Sequence, residues 1–511
     1  MQQNITDWHT VLPFFASELF AQVQQAGLFE DSKTFADVTV KSSWQEVIAA
    51  FAHEQHIPGF TLKAFVNKHF VLPEPVAPLE NVQRTTPLAY VESMWNALTR
   101  QPDASPAGHS PKNSLIALAK PYIVPGGRFR EIYYWDSYFT ALGLMDAGRE
   151  DMVINMLDNF VDLIAEVGCI PNGNRAYYHT RSQPPVLALM YHLVAARLSP
   201  AQSAKVNAAL HQEYAFWMEG EASLSDTHVA HKRVVRMPDG KVLNRYYDNS
   251  ATPRPESWRE DIHTAKALGA SSNEFYRHIR AACESGWDFS SRWLAEPTSL
   301  ASIRTTEIVP VDLNALLYTL EQTLSELSQT PADKQHYQER ATARQQAIHA
   351  YLWQQEYFYD YHYPSQRTTN VISAAAMVPL FTGLATTAQA KAVKNTLVAQ
   401  LLKPGGVVTT ALATSQQWDT PNGWAPLQFF TTHGLIRYGY DSLAADIMQR
   451  FVTTVERQFA ESGVMMEKYN VCEPELTASG GEYAVQLGFG WTNGVYKRFK
   501  NLLGQDRRAG Y

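Results

Sequence analysis

The chain has 511 residues, with 43 Lys and Arg against 50 Asp and Glu, a formal charge of −7 at pH 7. Charged residues make up 18%, below the roughly 25% of ordinary soluble domains, and 45% are hydrophobic, so a large core can form; a basic nucleic-acid binder and a disordered chain are both excluded. Length alone admits about three domains or one large architecture. The segment Met1 to Phe20 has no basic region followed by an apolar stretch, and no run approaches ~18 uninterrupted apolar residues, so neither an export signal nor a membrane span is read. Three scattered cysteines, Cys169, Cys283 and Cys472, read as free thiols. A reducing cytoplasm is therefore expected, with a periplasmic form whose signal has been removed as the alternative.

The Pro-rich stretch Leu72 to Pro78 and the polar loop Gln101 to Asn113 punctuate the first quarter. Residues 1–85 are accordingly expected to form an N-terminal extension packed on a main body of residues 86–511. Met152 to Ile164 places Val153, Met156, Leu157, Phe160 and Ile164 on one helical face. Pro184-Pro185 opens a predicted helix through Val186 to Leu198. Val234-Val235 and Val242-Leu243 flank Pro238-Asp239-Gly240 as the arms of a hairpin. Further predicted helices cover Val311 to Leu324 and the segment from Asp441, taken as an N-cap. The chain is thus mostly helical with small β excursions. Helices that follow one another in pairs can close a ring whose end loops carry the chemistry.

Irregular stretches rich in Gly, aromatics and charge interrupt these helices. Pro125 to Tyr138 supplies two glycines, Arg128, Trp135 and Asp136: a donor fork, an apolar plate and an acceptor. Sugars present apolar C–H faces and a rim of hydroxyls, so such a set suits them, and a structural turn with a buried Arg–Asp pair is the other reading. Ile170 to Pro185 offers Asn172, Arg181 and Gln183 as hydroxyl partners or as loop caps. In Pro253 to Trp258, Arg254 and Glu256 face the same way if the segment is extended. Asp288 lies between Trp287 and Phe289 after Gly286, where partial desolvation raises an acid's pKa. Carboxylates, glycines and tryptophans gather again in Gln417 to Pro426, Met466 to Tyr469, Gly480 to Tyr483 and Gly488 to Gly494.

Pro125 to Tyr138 and Gln417 to Pro426 resemble the two signature stretches of trehalase, glycoside hydrolase family 37, and the intervening motifs follow in the same order from about Asp31 to Gly494. The resemblance implies an all-α (α/α)6 barrel that hydrolyses α,α-trehalose to two glucose molecules with inversion. It puts the catalytic acid on Asp288 and the base on Glu467. It puts sugar contacts on Arg128, Trp135, Asp136, Asn172, Arg181, Ser182, Gln183, Arg254, Pro255, Glu256, Gly286 and Glu482. Asn470, where relatives often have Asp, and the Gly-poor loop Cys472 to Leu476 depart from the pattern.

An inverting pair stands roughly 6.5–9.5 Å apart to admit a water, against ~5 Å for a retaining pair, and the wider gap is expected here. Arg128, Arg181 and Arg254 are expected to keep Glu467 ionised, while Tyr133, Trp135, Trp287, Trp424 and Trp491 face sugar rings. No cofactor and no metal are expected: His53-Glu54-Gln55-His56 has its histidines three apart instead of four. The expected partner is the disaccharide alone, bound by a monomer, without nucleic acid or membrane. The competing functions are an inverting glucosidase acting on another glucosyl disaccharide and a noncatalytic sugar sensor.

Overall fold

A computed structural model describes residues 7–74, 82–103, 111–268 and 272–508. The end of the Pro-rich stretch and the middle of the polar loop lie outside the described residues. Twelve helices of the body alternate along the chain between two concentric layers. They are α1 (Pro87–Leu98), α2 (Tyr134–Asp146), α3 (Glu150–Val167), α4 (Leu187–Val194), α5 (Pro200–Trp217), α6 (Val311–Leu327), α7 (Pro331–Ala347), α8 (Val378–Phe381), α9 (Thr387–Thr396), α10 (Ala425–Arg437), α11 (Asp441–Ser462) and α12 (Gly490–Arg508). The even-numbered helices touch in the order α2, α4, α6, α8, α10, α12 and back to α2, closing an inner ring of six. Helix α3 packs across α2 and α4, α5 across α3 and α6, α7 on α6, α11 on α10 and α12, and α1 on α12. The architecture is an (α/α)6 barrel.

Burial follows the layers. Helix α2 is buried at every position from Tyr134 to Leu144, as a helix enclosed on all sides must be. The outer α3 buries one stripe, Val153, Met156, Leu157, Phe160, Leu163 and Ile164, which matches the face read from the sequence. Asp441 is the first helical residue of α11, not its cap; Tyr440 takes the cap position without a side-chain bond. An acid there still favours the helix N-terminus electrostatically. The helix after Pro184-Pro185 stops at Val194, and Ala195–Arg197 tightens into a 3-10 turn, because Pro200 opens the next helix behind its own Ser199 cap.

Between α5 and α6 the chain makes a long excursion. It contains the predicted hairpin, β1 (Val234–Arg236) paired antiparallel with β2 (Val242–Asn244), Val235 opposite Leu243, followed by helices Trp258–Lys266 and Ser272–Glu284. A second pair, β3 (Asn422–Trp424) and β4 (Lys468–Asn470), joins the end of the α9–α10 loop to the loop after α11. Residues 7–74 reach the barrel loops directly. Helix Ser32–Ala36 packs on the turn Pro255–Ser257, and Gln24 Nε2 donates to the Pro255 carbonyl at 3.4 Å. Lys33 Nζ is buried between Asp37 Oδ2 at 2.7 Å and Glu131 Oε1 at 2.8 Å.

Candidate active site

One pocket gathers Arg128, Trp135, Asp136, Asn172, Arg181, Gln183, Arg254, Glu256, Gly286, Asp288, Glu467 and Glu482. Trp135 and Asp136 sit in the first turn of α2 and the others come from the connections before α2, between α3 and α4, between α5 and α6 and between α11 and α12, so barrel closure is what brings them together. Phe129, Tyr133, Tyr178, Trp424, Tyr483, Phe489 and Trp491 wall it with rings. Two sequence-named residues are not on the wall. Ser182 turns away, its hydroxyl donating to the Ile170 carbonyl at 2.6 Å and its N–H to Glu284 Oε1 at 2.9 Å. Pro255 has no polar side chain to offer and holds the N-terminal segment through its carbonyl.

Asp288 sits just beyond helix Ser272–Glu284, on a loop that turns at Gly286 with φ +74°. A Cβ at Gly286 would stand 2.7 Å from Trp135 Cε2, so only glycine lets the loop lie on that ring. Trp287 is not a sugar-facing ring: it is fully buried, stacks on Trp418 at 5.5 Å and 19°, and carries Arg292 over its face at 4.6 Å. Trp418 in turn stacks on Trp424 at 3.9 Å and 1°. Asp419 fastens the same loop by accepting from Ser290 Oγ, Ser291 Oγ and the Ser291 N–H, each at 2.9 Å. The Asp288 loop is therefore anchored on the stretch Gln417 to Pro426.

The Asp288 carboxyl is pushed up to about 6, first by burial; Arg254 opposes, Glu467 adds to the rise, and Arg181 opposes further. Glu467 immediately precedes β4 and is buried. Its Oε1 accepts from Tyr483 Oη at 2.9 Å, its N–H donates to the Gln486 carbonyl at 2.9 Å and its carbonyl accepts from Trp491 Nε1 at 2.8 Å. Burial raises its pKa, and Lys468, the Tyr483 hydrogen bond, the Gln486 N–H and Arg128 pull it back. Of the three arginines expected to hold this carboxylate ionised, Arg128 is the one among its leading influences. Arg254 and Arg181 act on Asp288 instead, and Lys468 is the main cation beside Glu467. Burial raises Asp136 well above the usual carboxylate range; its own backbone N–H opposes, and the nearby Glu467 and Asp288 charges add to the rise.

The cations are held in fixed forks. Arg254 Nη2 lies 2.6 Å from Asp261 Oδ1 and 3.1 Å from both oxygens of Glu482. Arg181 Nη2 reaches Glu256 Oε1 at 2.6 Å and its Nε reaches Asn172 Oδ1 at 3.0 Å. Arg254 and Glu256 do share the pocket, though not through an extended strand: Pro255–Ser257 is a 3-10 turn. Arg128 Nη2 pairs with Asp31 at 2.8 Å, and its guanidinium lies 4.7 Å over the Tyr483 ring. Arg128 Nε, Arg181 Nη1 and Glu256 Oε2 are buried without hydrogen-bond partners, capacity that a hydroxyl-bearing ligand can satisfy.

Sequence reasoning missed Lys33, Tyr178, Cys283 and Tyr483 on the wall. Tyr483 adjoins Glu482 within a named motif, so its neighbour was the signal. Lys33 falls at the start of the matched stretch near Asp31, but it was not singled out because it arrives from an N-terminal helix far from the other site loops.

A helical toroid whose end loops place several buried carboxyls and aromatic walls around one cavity is the construction of a glycoside hydrolase. A family model described as trehalase matches residues 27–504. The chain is 47% identical over 492 residues to a periplasmic trehalase of Pseudomonas aeruginosa, across 95% of this chain and 89% of that protein. The neutral trehalase Nth1 of Saccharomyces cerevisiae superposes with a TM-score of 0.61 at 29% identity, covering 76% of this chain and 75% of the other. The chain belongs to the trehalase family.

Proposed function

We propose that the chain hydrolyses α,α-trehalose to two glucose molecules with inversion, Asp288 serving as general acid and Glu467 as general base. The observation that carries this reading is that these two carboxyls, distant in sequence, line one ring-walled cavity in different environments. Asp288 has its pKa raised to about 6 and faces Arg254, while Glu467 accepts a hydrogen bond from Tyr483 beside Lys468. The proton of Asp288 passes to the glycosidic oxygen as the C–O bond breaks. Glu467 takes a proton from water, whose oxygen bonds to the anomeric carbon from the opposite face. Asp136, the Arg181–Glu256 and Arg254–Glu482 pairs, Arg128, Asn172 and Gln183 hold hydroxyls, and Trp135 packs on a sugar face above Gly286. Ser182 and Pro255 act indirectly, by holding the loops.

Asp288→Asn keeps size and hydrogen bonding but has no proton to give. Glucose release from trehalose should fall by several orders of magnitude with the circular dichroism spectrum unchanged; near-normal turnover would remove Asp288 as the acid. No helix among the described residues is long and apolar enough to cross a membrane. The periplasmic name of the Pseudomonas relative favours the periplasmic alternative over the cytoplasmic expectation, which cell fractionation decides. Residues 1–85 are read as an extension that completes the site through Asp31 and Lys33, and the enzyme as a monomer, which sedimentation tests.

A further inference from the structure

Gln417 is buried and does not line the pocket, yet every loop that carries a catalytic carboxyl meets it. Its Nε2 donates to the main-chain carbonyl of Asp288, and its Oε1 accepts from Lys468 Nζ at 2.7 Å. The amide's orientation is fixed by its partners, since a carbonyl can only accept and an ammonium can only donate. Lys468 follows Glu467, and its Nζ also donates to the Gly480 carbonyl at 2.9 Å, at the start of the segment bearing Glu482 and Tyr483. Gly481 lies against the same amide: a Cβ there would stand 2.6 Å from Gln417 Oε1. The base of the strut is itself rigid, because the Gln417 carbonyl accepts from Asn422 Nδ2 at 3.0 Å and Trp424 Nε1 at 3.1 Å.

We infer that Gln417 is a positioning residue that sets the separation of the acid and base and holds the Glu482–Tyr483 segment over them. The inference rests on the roles given above to Asp288 and Glu467. The strut ties the acid's backbone to the ammonium that neighbours the base, so one side chain spans both halves of the catalytic pair. Displacement of catalytic groups by about 1 Å costs on the order of 10²-fold in rate, and that is the scale expected of its loss. A second consequence follows from Lys468. Released from Gln417, its ammonium keeps only the Gly480 carbonyl and is held less firmly beside Glu467, so the base protonates at higher pH.

The test uses the full chain and two variants, with trehalose as substrate. Gln417→Met fills the space and removes both bonds. Gln417→Glu keeps an acceptor for Lys468 but turns a second acceptor toward the Asp288 carbonyl, so it preserves the packing if the Met variant fails to fold. For Gln417→Met we expect kcat to fall about 10²-fold with KM changed less than threefold, and the acidic limb of kcat against pH to move to higher pH. For Gln417→Glu we expect a similar fall in kcat. A folded variant of either kind with kcat and pH profile unchanged, its thermal midpoint alone lowered, would overturn the positioning role and leave Gln417 as scaffold only. Asp288→Asn measured alongside separates the two failures: if it stays active the acid assignment falls, and if it is inactive while the Gln417 variants are normal only the strut falls.

Discussion

Tyr483 Oη donates its hydrogen to Glu467 Oε1 across 2.9 Å, beneath an Arg128 guanidinium that lies 4.7 Å over the phenol ring. This hydrogen bond stabilises the charged carboxylate against the burial that opposes it. Tyr483→Phe should therefore raise the Glu467 pKa, moving the acidic limb of kcat/KM to higher pH and lowering kcat at neutral pH by about tenfold, the scale of one hydrogen bond to a charged group. A pH–rate profile of the variant checks it.

With Asp288 as the proposed acid, the alkaline limb of the pH profile should follow its titration. A general acid works only while protonated, and burial with the Glu467 charge lifts this group to about 6 against Arg254 and Arg181. Activity of the free enzyme, read as kcat/KM, should fall as pH rises through that region. Arg254→Met removes the largest opposing charge, so it should move the limb to higher pH while weakening substrate binding.

Gly286→Ala places a methyl 2.7 Å from Trp135 Cε2 at a residue with φ +74°. Both the ring and the backbone resist, and the expected cost is about 1–3 kcal/mol of stability. Because Trp135 must give way, KM for trehalose should rise about tenfold, measured by glucose release against trehalose concentration.

Arg292 is buried between Asp312 and Asp360, each at 2.6 Å, under the Trp287 ring. Arg292→Met would leave two carboxylates without their cation in the floor beneath the Asp288 loop. Denaturant unfolding should show a loss of about 3–5 kcal/mol, the scale of breaking a buried pair from one side.

Much of the architecture was legible because it depends on local periodicity. The stripe of α3, the run of α6 and the β1–β2 hairpin are written in residue spacing, and twelve alternating helices leave few ways to bury their faces. Boundaries were less legible where neighbours compete: Pro200 and its Ser199 cap shorten α4, and Asp441 enters its helix instead of capping it. At the site, the motif acids and arginines were visible as residue types, and twelve of the fourteen named residues line the pocket. Their electrical partners were not visible. That Arg254 serves Asp288 depends on loop approach, and that Trp287 stacks on Trp418 depends on where two distant stretches meet. Lys33 illustrates the limit most plainly, since only the folded chain shows an N-terminal helix reaching the cavity.

With the proposed roles, Asp288 and Glu467 cleave one α-glucosidic bond of trehalose by a single displacement. Proton NMR of the products in the first turnovers, before the anomers equilibrate, reads this directly. Equal amounts of α-glucose and β-glucose are expected, the β anomer coming from the ring attacked by water; release of two α-glucose molecules would contradict inversion and the roles given to both carboxyls.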